Sequence, residues 1–349
     1  MLDQYQQSSA DWRGKLRENE RKTKFVIATF VGLYLLLGLL IDILMYSQMY
    51  NDNIQAAINC LLSFRCMPYA TLISGGIAVI SLLITFSMYD KIMLMGTNAH
   101  EIKPGQFQNE QEEQLFNVVE EMKIAAGINY MPKVFIIEAD YMNAFASGYS
   151  ERSAMVAITR GLINKLNRAE LQAVMAHELS HIRHHDIKLT LTVGVLSNLM
   201  LIMLDVLFYS VLFGNRSNRR NDNRQSNNAA NIIFVVVLVL RYVLPFLTVI
   251  LSLFLSRTRE YMADAGAVEL MRDNAPLASA LMKITYDHRE NAATYTQQYG
   301  ETSHEQVRRA SYIYDPTRLN PVKSLGSGFS THPSLEERLK AIGFEKKQS

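Results

Sequence analysis

The sequence predicts a mainly α membrane protein with a small β-sheet, in which four hydrophobic membrane helices carry a water-facing domain. Three observations predict it. Long uncharged apolar runs alternate with strongly polar stretches, although the mean hydropathy of the whole chain is only +0.01. The polar stretches contain one long helical periodicity and several short strand-like runs. The 35 Lys+Arg against 33 Asp+Glu leave a net charge of +2, too little positive field to hold nucleic acid. Two cysteines exclude a disulfide-dense scaffold, a zinc ribbon and an iron–sulfur framework. The length of 349 residues suits one large or two ordinary domains.

Residues 1–24 form a polar leader holding Arg13, Lys15, Arg17, Arg21, Lys22 and Lys24. Residues 25–90 read as an N-terminal transmembrane hairpin. Its first run, 25–45, carries one charge, Asp42. A secretory signal has an apolar core of about 7–15 residues, so this longer run reads as a retained anchor. The second run, Tyr69 to Tyr89, is uncharged, and Tyr46, Tyr50 and Tyr69 bracket the connection as interfacial aromatics do. Cys60 and Cys66 fall in that connection, 47–68, where a disulfide is chemically allowed but not fixed by spacing.

Residues 91–186 are the first aqueous block. Asn109 to Gly127 has helical periodicity, with Gly127 as terminator. Short strands are expected at Lys133–Ile137, Asn143–Ala146 and Ala154–Thr159. Asn167-Arg168-Ala169-Glu170 is a capping-box pattern that starts a helix through about His185.

Residues 187–256 read as a second membrane hairpin, with runs at Ile187–Phe213 and Ile232–Ser256 and an Arg/Asn-rich, mobile loop at 214–230. Asp205 and Arg241 sit at similar depth if the runs are antiparallel, so they are expected to pair inside the membrane; the alternative is that each lines a wet groove. Residues 257–349 form a second, mostly helical aqueous block. With the leader and both aqueous blocks in the cytoplasm, that side holds twelve Lys/Arg near the membrane against five opposite, which fits the positive-inside rule. The four arginines of the loop 214–230 fit it poorly: either the first hairpin dictates topology or the second does not fully span.

The chemistry is concentrated in His177-Glu178-Leu-Ser-His181. Histidines four apart on a helix project from one face and can reach one metal ion, and the glutamate between them can act as general base on a water there. A chain of this composition shows the pattern by chance about once per hundred sequences, but here the capping signal independently predicts the helix that carries it. Zinc suits imidazole and carboxylate ligands and keeps a position open for water. A third histidine would lie six residues after His181, where Ile187 stands, so a glutamate on a second helix is the remaining source. Ser256-Arg-Thr-Arg-Glu260-Tyr-Met-Ala-Asp264 offers Glu260 as ligand, with Asp264 one turn on to bond the free nitrogen of a ligand histidine. Two membrane runs lie between His181 and Glu260, an even number, so both reach the same side. His100, His184, His185, His288 and His304 read as solvated polar residues.

From about residue 25 to 345 the sequence resembles the HtpX family of integral-membrane zinc metalloproteases, relatives of the type I CAAX prenyl endoproteases. The resemblance rests on Asn143-Ala144-Phe145-Ala146, His177-Glu-Leu-Ser-His181 with Asp186, the Ser256–Asp264 segment, and Thr331-His332-Pro333-Ser with Arg338. It departs in the longer leader and the cysteine-bearing loop. It implies a gluzincin-type zinc metalloprotease domain in two parts, 91–186 and 257–349, facing the cytoplasm of a multi-pass protein of the bacterial inner membrane. The implied activity is an endopeptidase cleaving misfolded or damaged membrane proteins by metal-activated water attack, in stress-response quality control, with self-cleavage as a family habit. One zinc ion per chain is implied, on His177, His181 and Glu260, with Glu178 as base. His332 and Arg338 are implied to contact the substrate carbonyl, and the Asn143–Ala146 strand to pair with substrate main chain. Implied partners are unfolded or membrane protein substrates and the lipid bilayer, not nucleic acid; a homo-oligomer is compatible. A dedicated CAAX-type processing protease and a non-catalytic metal-binding membrane scaffold are the alternatives.

Overall fold

The computed structural model describes residues 5–7, 12–50, 53–148, 150–214, 226–303, 308, 311–316 and 332–346. In chain order the elements begin with β1 (Tyr5–Gln7), α1 (Trp12–Met49), α2 (Ile54–Leu62), α3 (Tyr69–Leu94), β2 (Ala99–Ile102) and α4 (Glu110–Ala126). Then follow β3 (Lys133–Ile137), β4 (Ala144–Ser147), β5 (Met155–Thr159), α5 (Arg160–Lys165), α6 (Arg168–Arg183) and α7 (Asp186–Gly214). The chain continues through α8 (Ser226–Met271), α9 (Ala275–Glu290), α10 (Ala292–Glu301), α11 (Leu335–Ala341) and β6 (Phe344–Lys346). The fold is mostly helical with a small mixed sheet. It divides into two compact units, one of Met1–Thr23, Phe86–Thr190 and Leu253–Ser349, the other of Lys24–Thr85 and Leu191–Ser252.

The second unit is apolar. Among the described residues three helical stretches are long and apolar enough to cross a bilayer, Ile27–Met49, Thr192–Tyr209 and Val235–Met271, the last running on past this unit's end at Ser252, and α3 adds the shorter apolar stretch Tyr69–Thr85. Tyr34, Leu37, Ala78, Met200, Met203, Leu204 and Leu244 form its core, while Leu36, Ile80, Val206 and Phe246 stay exposed on its outside. Asp42, the one charge of the first run, is buried and accepts from the Ala70 and Thr71 backbone amides at 2.7 and 3.0 Å and from the Thr71 hydroxyl at 2.7 Å. It therefore caps α3, whose first N–H groups have no partner of their own. Gly38 permits the approach, since a Cβ there would stand 2.7 Å from Thr71 Oγ1.

Arg241 Nη1 lies 2.6 Å from Asp205 Oδ1, the ion pair that their matched depth predicts, and the guanidinium sits 4.3 Å over the Phe208 ring. Cys60 and Cys66 are disulfide-bonded, with Cα atoms 5.3 Å apart, which settles what spacing left open. Of the loop expected at 214–230, residues 215–225 lie outside the described residues, and 214 and 226–230 are helical rather than mobile loop.

In the first unit the sheet order is β2-β3-β5-β4, with β3 and β5 parallel and the outer pairs antiparallel. Strands β4 and β5 are buried throughout, as a sheet covered by helices requires. α6 packs against α4, β4 and α9. Asn109 caps α4 and Gly127 closes it in the left-handed conformation at φ 69°. The Asn167/Glu170 capping box forms as its spacing predicts, with reciprocal bonds of 2.9 and 3.0 Å. The leader is helical from Trp12, and β1 pairs with β6.

Candidate active site

Helix α6 carries His177, Glu178 and His181 on a buried segment, and α8 brings Glu260 and Asp264 to the same place. Glu260 belongs to the same continuous helix as the fourth apolar run, not to a separate helix after it. Gly266 sets how closely α8 approaches α6: a Cβ there would lie 2.5 Å from Ser180 Oγ and 2.9 Å from Ser180 Cβ.

His177 Nε2 and His181 Nε2 are 3.3 Å apart, and Glu260 offers Oε2 at 3.8 Å from the first and Oε1 at 3.7 Å from the second. The three ligand atoms lie within 4.8 Å of one another. A tetrahedral zinc ion at about 2.0–2.2 Å from nitrogen and oxygen spaces its ligands by about 3.3–3.6 Å, so the donor set fits with adjustments of a few tenths of an ångström. Glu178 supplies a second sign. Both of its carboxylate oxygens are buried and make no close hydrogen bond, the Ala146 backbone N–H being the donor that bears on them, a costly state unless a polar species occupies the space they face.

Each histidine has its own carboxylate. His177 Nδ1 lies 3.0 Å from Asp264 Oδ1 and His181 Nδ1 lies 2.8 Å from Asp186 Oδ2. A carboxylate at Nδ1 holds the proton there and leaves the Nε2 lone pair facing the other donors. Asp186 belongs to the motif but carried no predicted role. It reaches His181 because the chain turns sharply at His185, whose φ is 55°, and its carbonyl is held by Arg259 Nη1 at 2.9 Å.

Arg338 is buried on α11 and forks onto Asp264, through Nε to Oδ2 at 2.9 Å and Nη2 to Oδ1 at 2.6 Å. Its Nη1 donates to the Ile313 carbonyl at 2.9 Å and lies 3.7 Å from Glu260 Oε2. The peptide carbonyl it touches is therefore one of its own chain. His332 Nδ1 is 3.3 Å from Glu260 Oε2. Thr331 and His304 lie outside the described residues.

Electrostatics follow the burial. Burial pushes the Glu178 carboxyl up to about 7, with the Glu260 charge adding to it and His181 opposing. Burial would raise Glu260 as well, but the charges of His332, Arg338 and His181 hold it well below the usual carboxylate range. Burial lowers His177 against its Asp264 bond, whereas for His181 the bond to Asp186 and the Glu260 charge outweigh burial and raise it.

Strand β4 covers Ala144–Ser147, one residue later than the expected Asn143–Ala146, and forms an edge of the sheet. Asn143 is fully buried just before it, and its Nδ2 donates to Tyr299 Oη at 2.8 Å. His288 corrects the solvated reading: it is fully buried, bonded to the Ile284 carbonyl at 2.8 Å and to Tyr299 Oη at 3.1 Å, and burial lowers it to about 4. A lone histidine on a polar-looking helix carries no sequence signal of such a pocket. His185 is exposed, while His100 and His184 are partly covered.

Residues 109–345 match Peptidase family M48. The chain belongs to that family. It is 38% identical over 327 residues to the Protease HtpX homolog of Helicobacter acinonychis, covering 94% of this chain and 96% of the relative. It is 36% identical over 332 residues to the Protease HtpX homolog of Listeria innocua, covering 94% and 98%. Among solved structures, that of Ste24p from S. mikatae aligns with a TM-score of 0.44 at 18% identity, covering 97% of this chain and 68% of that one. As an M48 protein of the HtpX type, the chain is a membrane metallopeptidase, and family membership implies a metal at a site for which His177, His181 and Glu260 are the fitting donors.

Proposed function

We propose that this metallopeptidase is a zinc-dependent endopeptidase of the bacterial inner membrane that cleaves misfolded or damaged membrane proteins on the cytoplasmic side. The observation that carries the reading is the buried Glu178 carboxylate beside three converged metal donors. His177, His181 and Glu260 would hold the ion. Zinc supplies two things when bound there, a water acidified towards neutrality and a polarised scissile carbonyl.

The chain's own residues do the rest. Glu178, raised to about 7 by burial, is poised to accept a proton near neutral pH and deliver it to the departing amine nitrogen. Asp264 and Asp186 fix the histidine tautomers. Arg338 holds Asp264 and His332 stands beside Glu260, and in this reading the two would donate to the charge that develops on the carbonyl oxygen. The β4 edge, from Asn143 through Ala144 and Phe145 to Ala146, offers main-chain hydrogen bonds to an extended polypeptide irrespective of its side chains, which suits unfolded substrates.

Four membrane-spanning helices with a cytoplasmic catalytic domain complete the reading. The Cys60–Cys66 disulfide supports it, because such a bond persists in an oxidising compartment and the proposed topology puts 47–68 on the outer side.

Metal content and hydrolysis of casein by the purified chain test the mechanism. Glu178→Ala is expected to retain zinc and lose about 10²–10⁴-fold or more of the activity, whereas His181→Ala loses the zinc itself. Undiminished cleavage by Glu178→Ala would end the proposal.

A further inference from the structure

We propose that Tyr312–Tyr314 acts as a built-in pseudosubstrate, lying antiparallel along the free edge of β4 in the main-chain positions of a substrate strand and yielding them when a polypeptide binds. The inference rests on the reading of β4 as the substrate-binding edge.

β4 is paired on one side only, with β5. The Asn143 carbonyl accepts from Thr159 N at 3.0 Å, so Asn143 turns its main chain towards β5. By the alternation of an antiparallel ladder, Ala144 and Ala146 then turn their N–H and C=O groups to the open side. At Ala144 the partner is the chain itself, since Ile313 N donates to the Ala144 carbonyl at 3.0 Å. One residue on, the Asn143 side chain stands in for a peptide group. Its Oδ1 accepts from Tyr314 N at 3.3 Å and its Nδ2 donates to the Tyr314 carbonyl at 3.1 Å. As the segment ascends from 313 to 314, its partners descend from 144 to 143, which is antiparallel pairing.

A third contact joins the segment to the metal donors. The Ile313 carbonyl accepts from Arg338 Nη1 at 2.9 Å, and that same nitrogen is 3.7 Å from Glu260 Oε2. The N–H and C=O of two consecutive residues are thus read by a strand edge, a side-chain amide and a guanidinium, without reference to side-chain identity. That is how a strand edge captures an extended peptide.

Tyr312 packs against Phe145, with ring centroids 5.7 Å apart, and Tyr314 stacks on His288 at 4.0 Å. Among the described residues the segment forms no ladder with β4 and makes one main-chain bond to it. An unfolded chain can replace that set of bonds group for group. A folded protein, its main chain already paired, cannot.

The test uses the full-length chain in lipid nanodiscs with Glu178→Gln, so that peptide binds without being cut, and a fluorescein-labelled unfolded casein peptide as probe. Adding Ile313→Pro deletes the N–H that competes for Ala144. The peptide should then bind about tenfold more tightly, the equivalent of one hydrogen bond. In the chain with Ile313 intact, saturating peptide should speed hydrogen exchange at the Ile313 and Tyr314 amides. Equal or weaker binding by an Ile313→Pro chain that keeps its zinc and its Tm would overturn the inference. So would unchanged protection of Ile313 at saturating peptide, a readout that holds even if the proline variant fails to fold. Failure of the protease reading shows separately, as absence of casein hydrolysis by the chain with Glu178 intact.

Discussion

His177 and His181 differ in how their supporting carboxylates reach them. Asp264 comes from another helix and is itself locked by the Arg338 fork, whereas Asp186 lies five residues beyond its histidine and depends on one sharp turn at His185. Removing a carboxylate of this kind costs about 10–100-fold in metal affinity. Asp186→Ala is therefore expected to bind zinc about 10–100-fold more weakly while keeping its helical content, as measured by competition against a chromophoric chelator. An unchanged zinc affinity would show that Asp186 does not orient His181. The histidine pair was legible in the sequence because an i, i+4 spacing fixes two side chains on one helical face. The Asp186 contact was not, because it forms after the helix has ended, where spacing no longer fixes direction. Nor did any pattern reveal that His288 is buried.

Two helices that are distant in sequence bring the donors together, and their separation is set by a small residue. Gly266 on α8 faces Ser180 on α6, and even a methyl group would collide with it. Gly266→Ala should destabilise the protein by about 1–3 kcal/mol through overpacking and weaken metal retention by pushing Glu260 away from the histidines. Ser180→Gly in that background removes the colliding atoms, at a helix cost of about 1 kcal/mol, and should restore zinc binding. If zinc stoichiometry is the same in Gly266→Ala as in the parent, the spacing is not set there. At this scale the sequence was informative about the elements themselves. The Asn167 capping box, the Gly127 terminator and the Lys133–Ile137 strand all form. It left open whether the fourth apolar run and the Glu260 segment share one helix, because a change from apolar to charged residues marks a change of surroundings and does not by itself end or continue a helix.

The sequence halves are interleaved in the whole molecule, each compact unit drawing on stretches from before and after residue 190. Within the first unit, Glu170 joins early and late segments by accepting from Ser279 Oγ at 2.6 Å and Lys283 Nζ at 2.8 Å. Burial alone would raise Glu170, but Lys283, Ser279 and the Asn167 amide outweigh it and lower it. A carboxyl lowered by folding contributes stability that is complete above its unfolded pKa of about 4.3 and is lost as pH falls through the folded value. Glu170→Gln should thus have a lower Tm than the parent at neutral pH, with the gap closing on acidification below about pH 4. A gap that stays constant with pH would assign the effect to packing instead of charge.

What the sequence by itself determined was periodic and local: apolar runs long enough to cross a bilayer, a capped helix with two imidazoles on one face, and the glutamate between them. These follow from backbone geometry and hydropathy, which act over a few residues. Only the tertiary structure decided which distant groups meet: Asp42 on the start of α3, Asp186 on His181, Arg338 on Asp264, and Ile313 on the edge of β4. Each is a buried polar or charged group that must find a partner, and the partner is chosen by packing in three dimensions, which no spacing along the chain encodes.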